Sequence, residues 1–158
     1  MRGGIIRKQS HYNTKICSFP GAGVEKVADH TEVELKYKTP EIAILYAGGN
    51  DLANKIEIET IVDNLAYLGL EMKDRGVKKI AISGMCPRKD LMHLIPALNK
   101  ELKGMCRHYG YDFISNSNFS YEYDLCYDKV HLNYDGVAIL ENNFIKYLRG
   151  LSLGNEEE

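Results

Sequence analysis

The chain has 158 residues, enough for a single domain that buries about two-thirds of its unfolded surface. Hydrophobic residues make up 44% and charged residues 27%, and the net charge of −2 comes from both signs scattered along the chain, which leaves no electrostatic case for a nucleic-acid partner. No window reaches the ~18 apolar residues of a membrane span, and the N-terminal "MRGGIIRKQS" contains no apolar core of a signal peptide.

In chain order, "TKICSF" (14–19) is a short strand candidate ending at the turn signal Pro20-Gly21. Charges at helical spacing follow from Val24 to about Tyr37, and Pro40 stops that helix. "EIAILYA" (41–47) is a near-continuous apolar run, as in a strand buried on both faces. Ile61, Val62, Leu65, Leu68 and Met72 share one helical face, and that helix ends at Arg75-Gly76.

A second apolar strand, 79–84, ends at Gly84, and Leu91, Leu94, Ile95, Leu98, Leu102 and Met105 then mark an amphipathic helix closed by Gly110. "YDFIS" (111–115) is a further strand candidate, followed by a polar loop whose Tyr121, Tyr123 and Tyr127 either border a pocket or cover the sheet end. The last helix opens at Asn133, a good N-cap, and buries Val137, Leu140, Phe144, Tyr147, Leu148 and Leu151. The order β-α-β-α-β-α-β-loop-α predicts a three-layer α/β/α, flavodoxin-like domain with a parallel sheet. The domain takes residues 1–151, and "LGNEEE" marks an acidic, frayed tail over 152–158.

Cys17, Cys86, Cys106 and Cys126 form no CxxC pair for a zinc site. A domain of this size has no need of disulfide staples, so reduced, mostly buried thiols and a cytosolic location are expected.

In an open parallel sheet, ligands collect beyond the carboxyl ends of the strands. Pro20-Gly21-Ala22-Gly23, Gly48-Gly49-Asn50-Asp51 and Gly84-Met85-Cys86-Pro87-Arg88 all fall at such ends, and "CYDKVHLNYDG" lies in the late loop. Asp128, three residues before His131, can accept from one imidazole nitrogen and leave the other free as a general base. Asp128 as a turn cap and His131 as an ordinary loop residue is the alternative. Asn50 offers side-chain N–H groups and Gly21 a backbone N–H, as a developing oxyanion needs, although glycines at strand ends also simply turn. Neither "GAGVEK" nor "GGNDLANK" matches a phosphate-binding loop of the GxxxxGK[ST] or GxGxxG type.

Taken together, these features resemble the SGNH (GDSL-type) serine hydrolases. The GxND block stands here as Gly48-Gly49-Asn50-Asp51, the DxxH block as Asp128-Lys129-Val130-His131 just before the last helix, and the glycine block as Gly21 in "SFPGAG". "SFPGA" and "DKVHLNYDG" look most like the small SGNH domains of some retroelement-encoded proteins. The resemblance implies an esterase working through an acyl-enzyme on a small ester, without metal or cofactor. His131 would be the base, Asp128 its orienting carboxylate, Asn50 and the Gly21 amide the oxyanion donors, with Gly48 and Asp51 shaping the turn.

The block that this resemblance leaves unmatched is the GDS that carries the nucleophilic serine at the end of a first, central strand. Met1-Arg2-Gly3 looks like the sequence that follows a GDS, so truncation before or at that block is expected. Ser10, Ser18 and Cys17 are poorly placed substitutes. Loss of that strand would leave inner strands unpaired at about 1–3 kcal/mol for each buried group. The implied outcomes are a marginal fold, self-association through strand edges, or a longer product. A non-catalytic relative that binds a ligand or partner is the alternative function.

Overall fold

In the computed structural model, the described residues are Lys15, Cys17, Phe19 and 21–157, with the side chains of 152–157 excluded. Helix α1 (Val24–Tyr37) leads into strand β1 (Ile42–Leu45), a short helix α2 (Gly49–Ala53) and helix α3 (Ile58–Asp74). Strand β2 (Lys79–Ser83), a 3-10 turn (Lys89–Leu91), helix α4 (Ile95–Tyr109), strand β3 (Asp112–Ile114) and helix α5 (Tyr134–Glu157) complete the order.

Among the described residues the sheet has three parallel strands in the order β1-β2-β3, with Ile44 opposite Ala81 and Ile82 opposite Phe113. Side chains alternate along each strand, so successive residues serve different layers. Ala43, Leu45, Ile80 and Ile82 join a core supplied by α1, α3 and α4. Ile42, Ile44, Ala81 and Ile114 face the other way, toward Leu140, Phe144, Ile145 and Leu148 of α5. Helices therefore cover both faces, and apolar strands of this kind need both covered.

The helices follow the apolar spacing. α3 buries Ile61, Val62, Leu65, Leu68 and Met72, and α4 buries Leu98, Leu102 and Met105. Each such side chain contributes about 1.5–3 kcal/mol when withdrawn from water. Gly110 ends α4 in the left-handed region at φ 74°, where its N–H bonds to the Cys106 carbonyl. Asn133 caps α5: its Oδ1 accepts the Gly136 N–H at 2.9 Å. The α5 backbone is helical through residues 152–157, where the sequence favours a frayed tail.

Two further features depart from the sequence expectation. Within 14–19, the residues Lys15, Cys17 and Phe19 are not in a strand, and the rest of that stretch lies outside the described residues. Lys15 pairs with Glu34 and Phe19 stacks on His30, so this part of the chain runs antiparallel along α1. The second is α2, whose five residues are too few to display a helical period.

Candidate active site

Four loops meet at the carboxyl end of the sheet, and specific contacts join them in series. The segment before α1 meets the turn after β1 through Asn50, whose Nδ2 donates to the Ala22 carbonyl at 3.2 Å. The turn after β1 meets the loop after β2 where the Arg88 guanidinium lies over Gly49. Its Nη1 is 3.6 Å from the place a Gly49 Cβ would occupy. That loop in turn meets the one before α5, where the Lys89 N–H donates to the Lys129 carbonyl at 2.8 Å.

Asp128 and His131 form a closed local unit. Asp128 Oδ2 lies 2.7 Å from His131 Nδ1, and Oδ1 accepts the backbone N–H groups of Val130 and His131 at 2.9 and 3.1 Å. The imidazole contact first, then those two N–H groups, holds the Asp128 carboxyl at about 2, well below its ordinary value. With Nδ1 committed to the carboxylate, Nε2 is the nitrogen left for chemistry, and the His131 side chain is 78% exposed.

The local chain makes this geometry. Cys126 and His131 are joined by an N–H to carbonyl bond of 2.7 Å, and Leu125 and Leu132 form an antiparallel bridge. Lys129 takes φ 61° at the tip of the turn. Asn133 locks the base, donating through Nδ2 to the carbonyls of Tyr123 and Leu125 at 2.7 and 3.1 Å. Gly136 is required beneath it, because an added Cβ would lie 2.2 Å from the Asp124 carbonyl oxygen.

On the opposite rim, Gly48 turns the chain at φ 121°, a conformation that L side chains rarely adopt. The Gly21 loop is open, with φ 75° and nothing within 4 Å of an added Cβ. Asn50 sits in the first turn of α2 and has one of its two N–H groups engaged by Ala22, leaving one for a ligand. Asp51 is engaged within the rim itself: its Oδ2 accepts the Val24 N–H at 3.0 Å, at the start of α1.

Other polar groups here secure the scaffold. Asn99 clasps Met85 through both its N–H, at 2.7 Å, and its carbonyl, at 3.3 Å. Ser83 is fully buried, with Oγ donating to the Gly84 carbonyl and accepting from Asn116. The Cys86 thiol is buried and pushed up to about 12 by desolvation. His131 makes no hydrogen bond to a described serine, and Ser10 and Ser18 lie outside the described residues. Among the described residues, no group of His, Cys, Asp and Glu side chains is arranged to hold a metal, and no helix is long and apolar enough to cross a membrane.

Asn99 is the member of this site that sequence reasoning missed, and the contacts of Arg88 and Gly136 were not legible although the segments that hold them were singled out. Each acts on a residue distant in sequence or through a side chain that is not there, and spacing patterns carry neither signal.

No family model matches the chain, and no curated protein does either. Solved structures do. A protein of Bacteroides fragilis designated an acylhydrolase is 18% identical with a TM-score of 0.71, over 83% of this chain and 72% of the other. A Clostridium thermocellum family 3 carbohydrate esterase is 20% identical with a TM-score of 0.70, over 83% and 69%. The acetylxylan esterase of Geobacillus stearothermophilus is 17% identical with a TM-score of 0.69, over 81% and 68%. The chain has the SGNH-hydrolase fold. Within the SGNH fold, the four loops described above occupy the carboxyl ends of the strands, where a doubly covered parallel sheet presents its ligand site.

Proposed function

We propose that the site is the acid–base and oxyanion portion of a serine-esterase centre. One observation carries the reading: the 2.7 Å contact between Asp128 Oδ2 and His131 Nδ1, with the second carboxylate oxygen filled by backbone N–H groups and the imidazole open to solvent. Such a pair fixes the tautomer that presents Nε2 as a base and supports the imidazolium formed when it takes a proton. Catalytic mutants of the acetylxylan esterase replace a histidine and an aspartate three positions before it, the spacing of Asp128 and His131.

In this reading a serine hydroxyl attacks the ester carbonyl carbon and passes its proton to His131 Nε2. The remaining Asn50 N–H and the Gly21 N–H hold the resulting oxyanion. Collapse expels the alcohol, which takes the proton back from His131. Water then repeats the sequence on the acyl-enzyme and releases the acid. The serine is the piece that no described residue supplies, and the resemblance assigns it to a Gly-Asp-Ser strand. That also supports a second reading, a non-catalytic SGNH domain that binds an ester or acid with the same loops.

Hydrolysis of 4-nitrophenyl acetate separates the two. It is measured for this chain and for the chain extended at its N-terminus by a strand ending in Gly-Asp-Ser. The extended protein should turn over, and His131→Ala should cut its kcat by about 10⁴-fold or more. An inert extended protein, or a rate untouched by His131→Ala, rejects the esterase reading.

A further inference from the structure

We propose that Arg88 sets the specificity of this site by gripping a carboxylate on the ester substrate with the edge of its guanidinium that Asp90 leaves free. The inference rests on the esterase reading for its placement and adds a substrate class to it.

Asp90 takes one edge only. Arg88 Nε donates to Asp90 Oδ1 at 3.1 Å and Nη2 to Oδ2 at 2.8 Å. Of the five guanidinium hydrogens, both on Nη1 and one on Nη2 remain. They form a second planar fork, the shape that matches the two oxygens of a carboxylate. Asp90 thus stops the guanidinium from rotating and presents that fork in a fixed direction.

The guanidinium stands beside the turn after β1. Nη1 is 3.6 Å from the place a Gly49 Cβ would occupy, and Gly49 is the residue next to the oxyanion candidate Asn50. The Arg88 side chain is only 21% exposed, unlike an ordinary surface arginine. The bond from Lys89 N–H to the Lys129 carbonyl brings the same loop against Asp128 and His131. A substrate held by Arg88 is therefore shared between both halves of the candidate centre.

The local charge balance favours an anion. Within residues 88–90 and 128–131, Arg88, Lys89 and Lys129 stand against the carboxylates of Asp90 and Asp128. Both carboxylates are already spent: Asp90 on Arg88, and Asp128 on His131 and two N–H groups. The carboxylate of the ligand could sit on the acyl side, as in a dicarboxylic half-ester, or on the alcohol side, as in an acylated hydroxy acid.

The test uses the whole chain and reads binding, so it needs no turnover. Backbone amide NMR titrations are run with monomethyl succinate (acyl-side carboxylate), acetylglycolate (alcohol-side carboxylate) and methyl butyrate (uncharged). Saturating shifts at Gly49 and Lys89 are expected with at least one of the acids, at an affinity about tenfold or more above that for methyl butyrate. The acid that binds more tightly identifies the side. Arg88→Gln should remove the preference, and Arg88→Lys should weaken it by keeping the charge but losing the fork. Asp90→Asn controls for a loosened loop, because it disturbs the ion pair but keeps the guanidinium, and some preference should persist. Equal affinity for charged and uncharged probes, or an unchanged preference in Arg88→Gln, overturns the proposal. His131-dependent acetate hydrolysis without carboxylate preference would reject Arg88 and leave the esterase reading standing. Arg88-dependent acid binding in an extended protein that is inert would do the reverse.

Discussion

Asp51 caps a helix that begins 27 residues before it, and Gly23 makes room for it to do so. Asp51 Oδ2 accepts the Val24 N–H at 3.0 Å, and a Cβ on Gly23 would lie 2.7 Å from Asp51 Oδ1. The N-cap residue of α1 is that same Gly23, which has no side chain to offer the orphan N–H groups of the first turn. The last residue of the GxND block is thus engaged in joining two loops of the rim.

Asp51→Ala should therefore lower stability by about 0.5–2 kcal/mol, the usual worth of a lost cap. Gly23→Ala should produce a similar loss by pushing the carboxylate off the helix end. Because both act on one contact, the double variant should fall well short of the sum. Urea unfolding of the three proteins checks this, and strict additivity would show that the two residues act separately.

The Asp128–His131 unit carries a pH signature. Three donors hold the Asp128 carboxyl down at about 2, with the imidazole the largest cause. A folded value below the unfolded one means that the ionised carboxylate favours the native loop. That contribution is complete above the ordinary value of 3.8 and is lost as pH falls from there through about 2. The carboxyl carbon of Asp128, followed by NMR, should titrate near 2. A midpoint at the ordinary value would mean that the contact is not held in solution. Both side chains reach solvent, so added salt should bring the midpoint part of the way back toward the ordinary value.

How much of this was legible depended on the range of the interaction. α3 and α4 could be read because apolar residues repeat on one helical face, and α1 because charges recur at helical spacing up to the stop at Pro40. Gly48–Asp51 and Asp128–His131 could be singled out because each is contiguous and sits at a strand end or before a helix. α2 is too short to show a period, and 14–19 reads as a strand although Lys15 and Phe19 turn to Glu34 and His30 of α1. Arg88 could be noticed after β2, but its approach to Gly49 across the sheet end could not. Asn99 reads as an ordinary helix residue until its clasp on Met85 is seen. Contacts that cross the sheet end have no signature within one segment.

The thiols should differ sharply in reactivity. Cys17, Cys86, Cys106 and Cys126 are all free, with Cys17 exposed and Cys86 and Cys106 buried. Burial pushes Cys86 up to about 12 and Cys106 up to about 11, which leaves little of the thiolate that reacts. In iodoacetamide at pH 8, native protein should be labelled at Cys17 first, with Cys86 and Cys106 labelled only after unfolding. Peptide mass mapping reads the order directly. Early labelling of Cys86 would mean that the loop after β2 opens.

Glu141 on α5 is the main exception to polar satisfaction among the described residues. It is 0% exposed, and neither carboxylate oxygen has a hydrogen-bond partner. It lies on the buried side of α5, next to Leu140 and one turn before Ile145, both of which pack in the layer beneath the sheet. Burying an unsatisfied polar group costs about 1–3 kcal/mol, and more when it is charged. Methionine has a similar length and fills the same space without that cost, so Glu141→Met should raise stability by about 1–3 kcal/mol. Glu141→Gln, which keeps two polar groups in the same place, should gain less. Urea unfolding midpoints for the two variants and the parent decide the matter. If Glu141→Met were the least stable of the three, the carboxylate would have to be satisfied by a partner in solution, and the layer between α5 and β1 would be where to find it.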